Sequence, residues 1–294
     1  MINYRYFIHP EDEKAMKAMK SIPGFDMLVK KIMKIGYEQM AHGINMASKI
    51  RLSERQLPEI YSVVKSVCEK FEIEVPEVYL EMSPIPNAYT FGDSRVSLVL
   101  TSGLFDYLDE GEIRSVIAHE CGHIVCRHSL YTLLVEFVKD GLKGIAAELT
   151  EPLKLAILYW SRKSELSADR AAALICGTES VVKTQLRLAG GPKTLTKDVD
   201  INEWARQADA YENLRKGGAW DKILQFSATL PMSHPFSAVR VQEVIKWSAS
   251  NQYKLAQGLL KDSTDTCPVC HEKINPEWSY CEYCGTLLKK ETAC

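Results

Sequence analysis

The sequence predicts an α+β fold, mostly helical, with one small antiparallel sheet and a small cysteine-rich module near its end. Three observations carry that expectation. Apolar residues recur at helical spacing through most of the chain, short β-branched segments gather only between Val75 and Gly103, and two CxxC pairs fall close together after residue 260. With 294 residues, 46% hydrophobic and 25% charged, the chain has the balance of a soluble globular protein. That length suits one sizeable core plus a small appendage, or two ordinary domains.

Taken in order, the stretch from Phe25 to Ile50 is helical in pattern and rich in Met and Lys. It reads as core-facing rather than as a basic membrane-surface helix. From Ser53, the spacing puts Leu57, Ile60, Tyr61, Val64, Cys68 and Phe71 on one helical face. VYLEM, NAYTFG and RVSLVLTSG are then three strand candidates separated by Pro, Asn, Gly and Asp. Helical signals resume after Asp109, which with Glu112 makes a capping arrangement. Further helices are expected over about 130–147, 152–176, 202–214 and 236–248. The polar runs SASNQ and DSTDT read as a linker. The domain expectation is therefore 1–260 for the main domain, with N-terminal helices over 1–72 and the sheet and remaining helices over 73–250, followed by 261–294 as linker and cysteine module.

Composition excludes some functions. A formal net charge of −2 makes no electrostatic case for nucleic acid or an anionic membrane. The N-terminal MINYRYFIHPEDEK lacks the basic start and apolar core of a secretory signal. The most apolar later stretch, Leu142 to Trp160, carries Lys143, Glu148, Glu151, Pro152 and Lys154. A span needs about 20 nearly uncharged residues, so no membrane span is expected, and peripheral membrane contact stays open. Of nine cysteines, Cys68, Cys121, Cys126, Cys176 and Cys294 are scattered, which is no disulfide framework. A reducing, cytoplasmic compartment is expected.

The chemistry-bearing string is His119-Glu120-Cys121-Gly122-His123. Two histidines four apart lie one turn above each other on a helix, close enough to share a Zn²⁺ ion. The carboxylate between them is placed to act as a general base on an activated water. Burying two imidazoles and a carboxylate within one turn without a metal is costly unless all are hydrogen-bonded. A third ligand is needed. Cys126 and Ser129 stand where a metzincin has Gly and His, so that class is out. Glu165 is the downstream carboxylate in a suitable setting, with Asp169 one turn further to accept a hydrogen bond from a ligand imidazole.

From the NAYTFG segment through HECGH and ELSAD to Ser233-His234-Pro235 and Arg240, the sequence resembles the HtpX-like zinc peptidases, relatives of the prenyl-CAAX and OMA-type proteases. The resemblance implies a zincin-like gluzincin domain, a zinc metalloendopeptidase acting on polypeptide substrates, with His119, His123 and Glu165 as ligands and Glu120 as base. Asn87, Ala88 and Tyr89 correspond to an edge strand that pairs with substrate backbone. His234 matches a loop near the metal, where it either donates to the oxyanion or ligates the zinc reversibly in a resting state. Arg240 is placed to pair with Asp169 and brace the site. The chain departs from familiar members in lacking clear spans, in its C-terminal extension, and in carrying His128 where many have aspartate. His128 is either a group that supports the metal ligands from behind or a helix-end residue near the negative end of the dipole, and the latter reading is preferred.

Cys267-Pro-Val-Cys270 and Cys281-Glu-Tyr-Cys284 are spaced to complete a tetrahedral thiolate site, a zinc ribbon with a second, structural zinc. The segment is too short for its own core, so metal must supply most of its folding energy. Lys273, Lys289 and Lys290 face Glu272, Glu277, Glu282 and Glu291, so a protein partner or regulatory role is expected rather than nucleic acid. Two readings follow: a zinc endopeptidase acting in protein quality control, or a non-enzymatic zinc-binding scaffold working through its ribbon. The intact Glu120 favours the first.

Overall fold

A computed structural model describes residues 3–34, 36–140, 150–215, 236–264, 269–270 and 278–287. The N-terminal part holds helices α1 (Pro10–Lys20), α2 (Phe25–Lys34) and α3 (Tyr37–Ser48), then the two-residue strand β1 (Ile50–Arg51) and α4 (Pro58–Phe71). Strands β2 (Glu77–Glu81), β3 (Ala88–Phe91) and β4 (Ser97–Thr101) follow, and then α5 (Gly103–Tyr107), α6 (Glu110–Val125) and α7 (Ser129–Asp140). The rest is helical: α8 (Glu151–Cys176), α9 (Thr178–Gly190), α10 (Lys193–Thr196), α11 (Ile201–Arg215), α12 (Ser237–Ser248) and α13 (Asn251–Thr264).

The expected antiparallel sheet is in fact mixed. Its strand order is β1-β2-β4-β3, with β1–β2 and β3–β4 antiparallel but β2–β4 parallel. The proline-bearing connection through Pro84 and Pro86 carries the chain past the central position to the edge. The β3–β4 hairpin then returns β4 between its neighbours, which aligns it with β2. Every residue of β4 is buried, as a strand covered on both faces requires. Val78, Leu98 and Leu100 face one core, shared with α4, α6 and the second half of α8. Tyr79, Phe91 and Val99 face a second core with α1, α2, α7 and the first half of α8.

Two other expectations change. The Phe25 to Ile50 pattern breaks into two helices at Gly36, whose φ of 72° lies in the left-handed region, and it ends in β1. Phe25, Leu28 and Ala41 are buried, but Met27, Met40, Ile44 and Met46 are exposed. The supposed linker between residues 249 and 264 is mostly α13: Tyr253 and Ala256 are buried and Leu260 packs beside them, an apolar stripe at helical spacing hidden by polar neighbours.

Helix α6 owes its position to both ends and to one glycine. Asp109 Oδ1 accepts from Glu112 N at 2.9 Å, and Glu112 Oε2 accepts from Asp109 N at 3.0 Å, so the capping box is complete. The buried Arg187 of α9 holds Glu112 (3.3 Å). At Gly122, α6 meets α8 so closely that an added Cβ would lie 2.6 Å from the Ala171 Cβ. At its C-terminal end, Arg127 takes φ 59°, and His128 N donates back to His123 O at 2.8 Å. That turn folds His128 under the helix.

Candidate active site

His119, Glu120 and His123 lie in the stretch of α6 that is buried from Ser115 to His123. The helical repeat stacks the two imidazoles with ring centroids 4.9 Å apart and Nε2 atoms 3.2 Å apart. Because α8 crosses at Gly122, it brings Glu165 to both rings: Oε2 is 3.4 Å from His119 Nε2 and Oε1 is 3.3 Å from His123 Nε2. One turn along α8, Asp169 Oδ1 lies 3.0 Å from His119 Nδ1.

Arg240 of α12 completes the cluster. Its Nε donates to Asp169 Oδ2 at 2.7 Å and its Nη2 to Asp169 Oδ1 at 2.6 Å, while Nη1 lies 3.0 Å from Glu165 Oε2. Burial alone would push Asp169 up, but the Arg240 charge and hydrogen bonds, with those of His119, hold it down at about 2. Burial works to lower His119, yet its hydrogen bonds to Asp169 and Glu165 prevail and raise it to about 9 in the metal-free chain. For His123 burial wins, and its pKa falls below the ordinary value.

The donors fit a zinc ion. With His119 Nδ1–H directed at Asp169, the Nε2 lone pair of His119 faces that of His123 across 3.2 Å. Such convergence is unfavourable unless a proton or cation lies between. Histidine nitrogen with a carboxylate is the donor set zinc takes at open catalytic centres. His119, Glu120 and His123 offer ligand atoms within 4.8 Å of one another. Glu165 is the carboxylate that reaches both rings directly, whereas Glu120 Oε2 accepts from Thr90 Oγ1 at 3.2 Å. Beside the histidines lies a cavity of about 560 Å3, lined by Asn87, Ala88, His119, Glu120, Val181 and Leu188 among others.

Of the predicted site residues, His119, Glu120, His123, Glu165, Asp169, Arg240, Asn87 and Ala88 come together. The Tyr89 side chain does not line that cavity: its hydroxyl donates to Glu81 Oε2 and accepts from Lys49 Nζ, both at 2.7 Å. Strand alternation sends Tyr89 to the opposite face from Ala88 and Thr90. Thr90 was missed, although the same alternation counted on from Ala88 points to it. His128 is no solvated helix-end histidine. It is buried, with Nδ1 3.0 Å from His123 Nδ1 and Nε2 3.0 Å from Asp12 Oδ2. Nothing local in the sequence marks Asp12. His234 and Cys267 lie outside the described residues. Cys270, Cys281 and Cys284 offer thiols within 4.8 Å of one another, and Cys270 Sγ is 3.6 Å from Cys281 Sγ.

Two helix-borne histidines, a carboxylate from a crossing helix and a second carboxylate at a cavity define the class of metallohydrolase centres. Comparison with known proteins takes this further. The family model described as "Peptidase family M48" matches residues 54–248. The chloroplastic plastoglobule-localized metallopeptidase 48 of Arabidopsis thaliana is 29% identical over 255 residues, covering 84% of this chain and 74% of that protein. A protease HtpX homolog of Nostoc sp. is 26% identical over 235 residues, covering 66% of this chain and 75% of its own. The crystal structure of S. mikatae Ste24p is 16% identical with a TM-score of 0.39, and the match covers 83% of this chain and 61% of that one. The chain belongs to peptidase family M48 and is a zinc-dependent protease, a hydrolase. Among the described residues, no helix is long and apolar enough to cross a membrane.

Proposed function

We propose that the chain is an endopeptidase in which His119, His123 and Glu165 hold the zinc ion and Glu120 is the general base. The observation that carries this is the convergence of two Nε2 atoms and the Glu165 carboxylate, with Glu120 beside them at the cavity. Bound there, zinc supplies Lewis acidity and lets water act as a nucleophile at neutral pH. Glu120, oriented by Thr90, takes the proton from the attacking water and hands it to the leaving amine. Asp169 and Arg240 keep the His119 ring in place. An extended substrate runs along β3 past Asn87 and Ala88, which line the cavity, so backbone is read more than side chains. His234, two residues before the cavity-lining Phe236, is positioned in sequence to donate to the oxyanion or to act as a reversible ligand. His234→Phe is expected to change activity.

Val181 and Leu188 in the cavity wall suit an apolar side chain of an unfolded polypeptide, which supports a role in quality control. The three described thiols of the C-terminal module support a structural zinc held with Cys267, in a ribbon available to a protein partner. Thiols kept as ligands suit a reducing compartment such as the cytoplasm. The test is zinc content and casein cleavage for wild type and Glu120→Gln. Zinc should be the same in both, and cleavage should fall by about 10²–10⁴-fold. Equal cleavage overturns the assignment of the base.

A further inference from the structure

Beyond the ligand cluster, a second line of buried polar groups leads into the site from the N-terminal helix. Helix α1 is fastened across α8: His9 N donates to Ser167 Oγ at 2.9 Å, and Arg170 Nη1 donates to Ile8 O at 3.2 Å. This places Asp12, only 1% exposed, against the middle of α8. There its Oδ1 accepts from Trp160 Nε1 at 3.0 Å and its Oδ2 from Ser167 Oγ at 2.5 Å. Burial opposes the charge on Asp12, but His128, Ser167 and Trp160 together offset it, and its pKa sits below the usual carboxylate range.

The direction of the remaining hydrogen bonds follows from proton bookkeeping. An ionised carboxylate only accepts, so the His128 nitrogen 3.0 Å from Asp12 Oδ2, Nε2, carries the hydrogen. The tautomer of His128 with its hydrogen on Nε2 has a lone pair at Nδ1. The group 3.0 Å from that lone pair is His123 Nδ1, which must be the donor. With its hydrogen on Nδ1, His123 presents an Nε2 lone pair toward Glu165 and His119. Trp160 also closes edge-on against the His128 ring, centroids 5.6 Å apart at 80°, which fixes its plane.

We propose that Asp12 and His128 are positioning residues of the metal centre: α1 supplies a carboxylate that acts through His128 to hold His123 in the tautomer and orientation a cation needs. Asp12 lies outside the residues the family model matches. The two ligand histidines are thus oriented by unlike devices. His119 is held directly by Asp169, which Arg240 in turn holds, whereas His123 is held through an imidazole by a carboxylate from a helix far away in sequence. The proposal rests on the reading of His119, His123 and Glu165 as zinc ligands.

The test uses the full chain. In the metal-free protein labelled with ¹⁵N-histidine, long-range proton–nitrogen correlation should show His128 as the Nε2–H tautomer and His123 as Nδ1–H; His128 as Nδ1–H overturns the relay. Zinc affinity is then measured by chelator competition for wild type, Asp12→Asn, His128→Leu, His128→Gln and the Asp12→Asn/His128→Leu double variant. The melting temperature of each metal-free chain is recorded beside it. Asp12→Asn and His128→Leu should each bind zinc about 10–100-fold more weakly, and the double variant no more weakly than His128→Leu alone. His128→Gln should recover most of the affinity, since its amide accepts from His123 and donates to Asp12. The Co²⁺ spectrum should shift in His128→Leu and stay near wild type in His128→Gln. Wild-type affinity in Asp12→Asn and His128→Leu, with only the melting temperature lowered, reduces the pair to a structural contact. If His128→Leu does not fold, Asp12→Asn and the tautomer decide. A wild type that binds no zinc here removes the ligand reading itself, a result distinct from zinc binding that ignores the variants.

Discussion

Arg240 is buried with its guanidinium between two carboxylates, Asp169 at 2.6 and 2.7 Å and Glu165 at 3.0 Å. One cation therefore serves two jobs. It holds the acceptor that orients His119, and it balances charge around Glu165 when no metal is bound. Removing one partner of such a cluster leaves uncompensated buried charge, a loss of about 3–5 kcal/mol. Arg240→Met is expected to destabilise the metal-free chain by about that amount and to weaken zinc binding, measured by urea unfolding in chelator and by metal competition. An unfolding midpoint equal to wild type would show that Asp169 has another source of compensation. The helical spacing made His119, Glu120 and His123 legible as a unit, and four-residue spacing did the same for Glu165 and Asp169. Thr90 is within reach of the strand alternation counted on from Ala88, whereas what Asp12 does depends on the atoms opposite it, which no local pattern contains.

At the scale of elements, the site is a crossing of two helices whose separation is set by small residues. Gly122 of α6 faces Ala168 and Ala171 of α8, and an added Cβ would sit 2.6 Å from one and 3.2 Å from the backbone of the other. Gly122→Ala must push the helices apart, at a cost of about 1–3 kcal/mol. It should also draw Glu165 away from the histidine pair and lower zinc affinity, while Gly111→Ala, whose nearest contact is an ordinary 3.5 Å, should leave affinity unchanged. Unaltered zinc affinity in Gly122→Ala would mean the crossing distance does not control the centre. The N-terminal helix is a second such element. His9 Nδ1 accepts from Glu11 N, and His9 Nε2 lies 3.3 Å from Glu243 Oε2 on α12. That hydrogen bond, helped by Lys246 and opposed by burial, lowers the Glu243 pKa to about 2 from an ordinary 4.5. A depressed folded-state pKa stabilises the fold above about 4.5 and loses its effect as pH falls through about 2. The stability advantage of wild type over Glu243→Gln, about 1 kcal/mol or less for a partly exposed pair, should therefore be present at pH 5 and vanish toward pH 2. An advantage independent of pH would place the effect in packing instead.

Across the whole molecule, the mixed sheet separates two cores and the long α8 runs through both, which carries α1 to the rear of the site and α12 to its front. The C-terminal module stands apart in its chemistry, with thiols where the main centre has imidazole and carboxylate. On the proposed structural zinc, replacing Cys281 and Cys284 by Ser should reduce bound zinc from two ions to one, while leaving casein cleavage within a few-fold of wild type. Loss of both zinc ions would instead tie the ribbon to the integrity of the active centre.

What the sequence determined by itself was whatever one or two turns of chain can encode: the histidine pair, the interposed carboxylate, the capping box at Asp109, the positions of β2, β3 and β4, and the paired cysteines. These are local because helix and strand periodicity put residues at fixed small spacings on one face. Tertiary structure alone decided the parallel pairing of β2 with β4 and the seat of Asp12 beneath His128. Each of those depends on which distant surfaces exclude water together. Packing between segments more than a hundred residues apart leaves no mark in the spacing of either one.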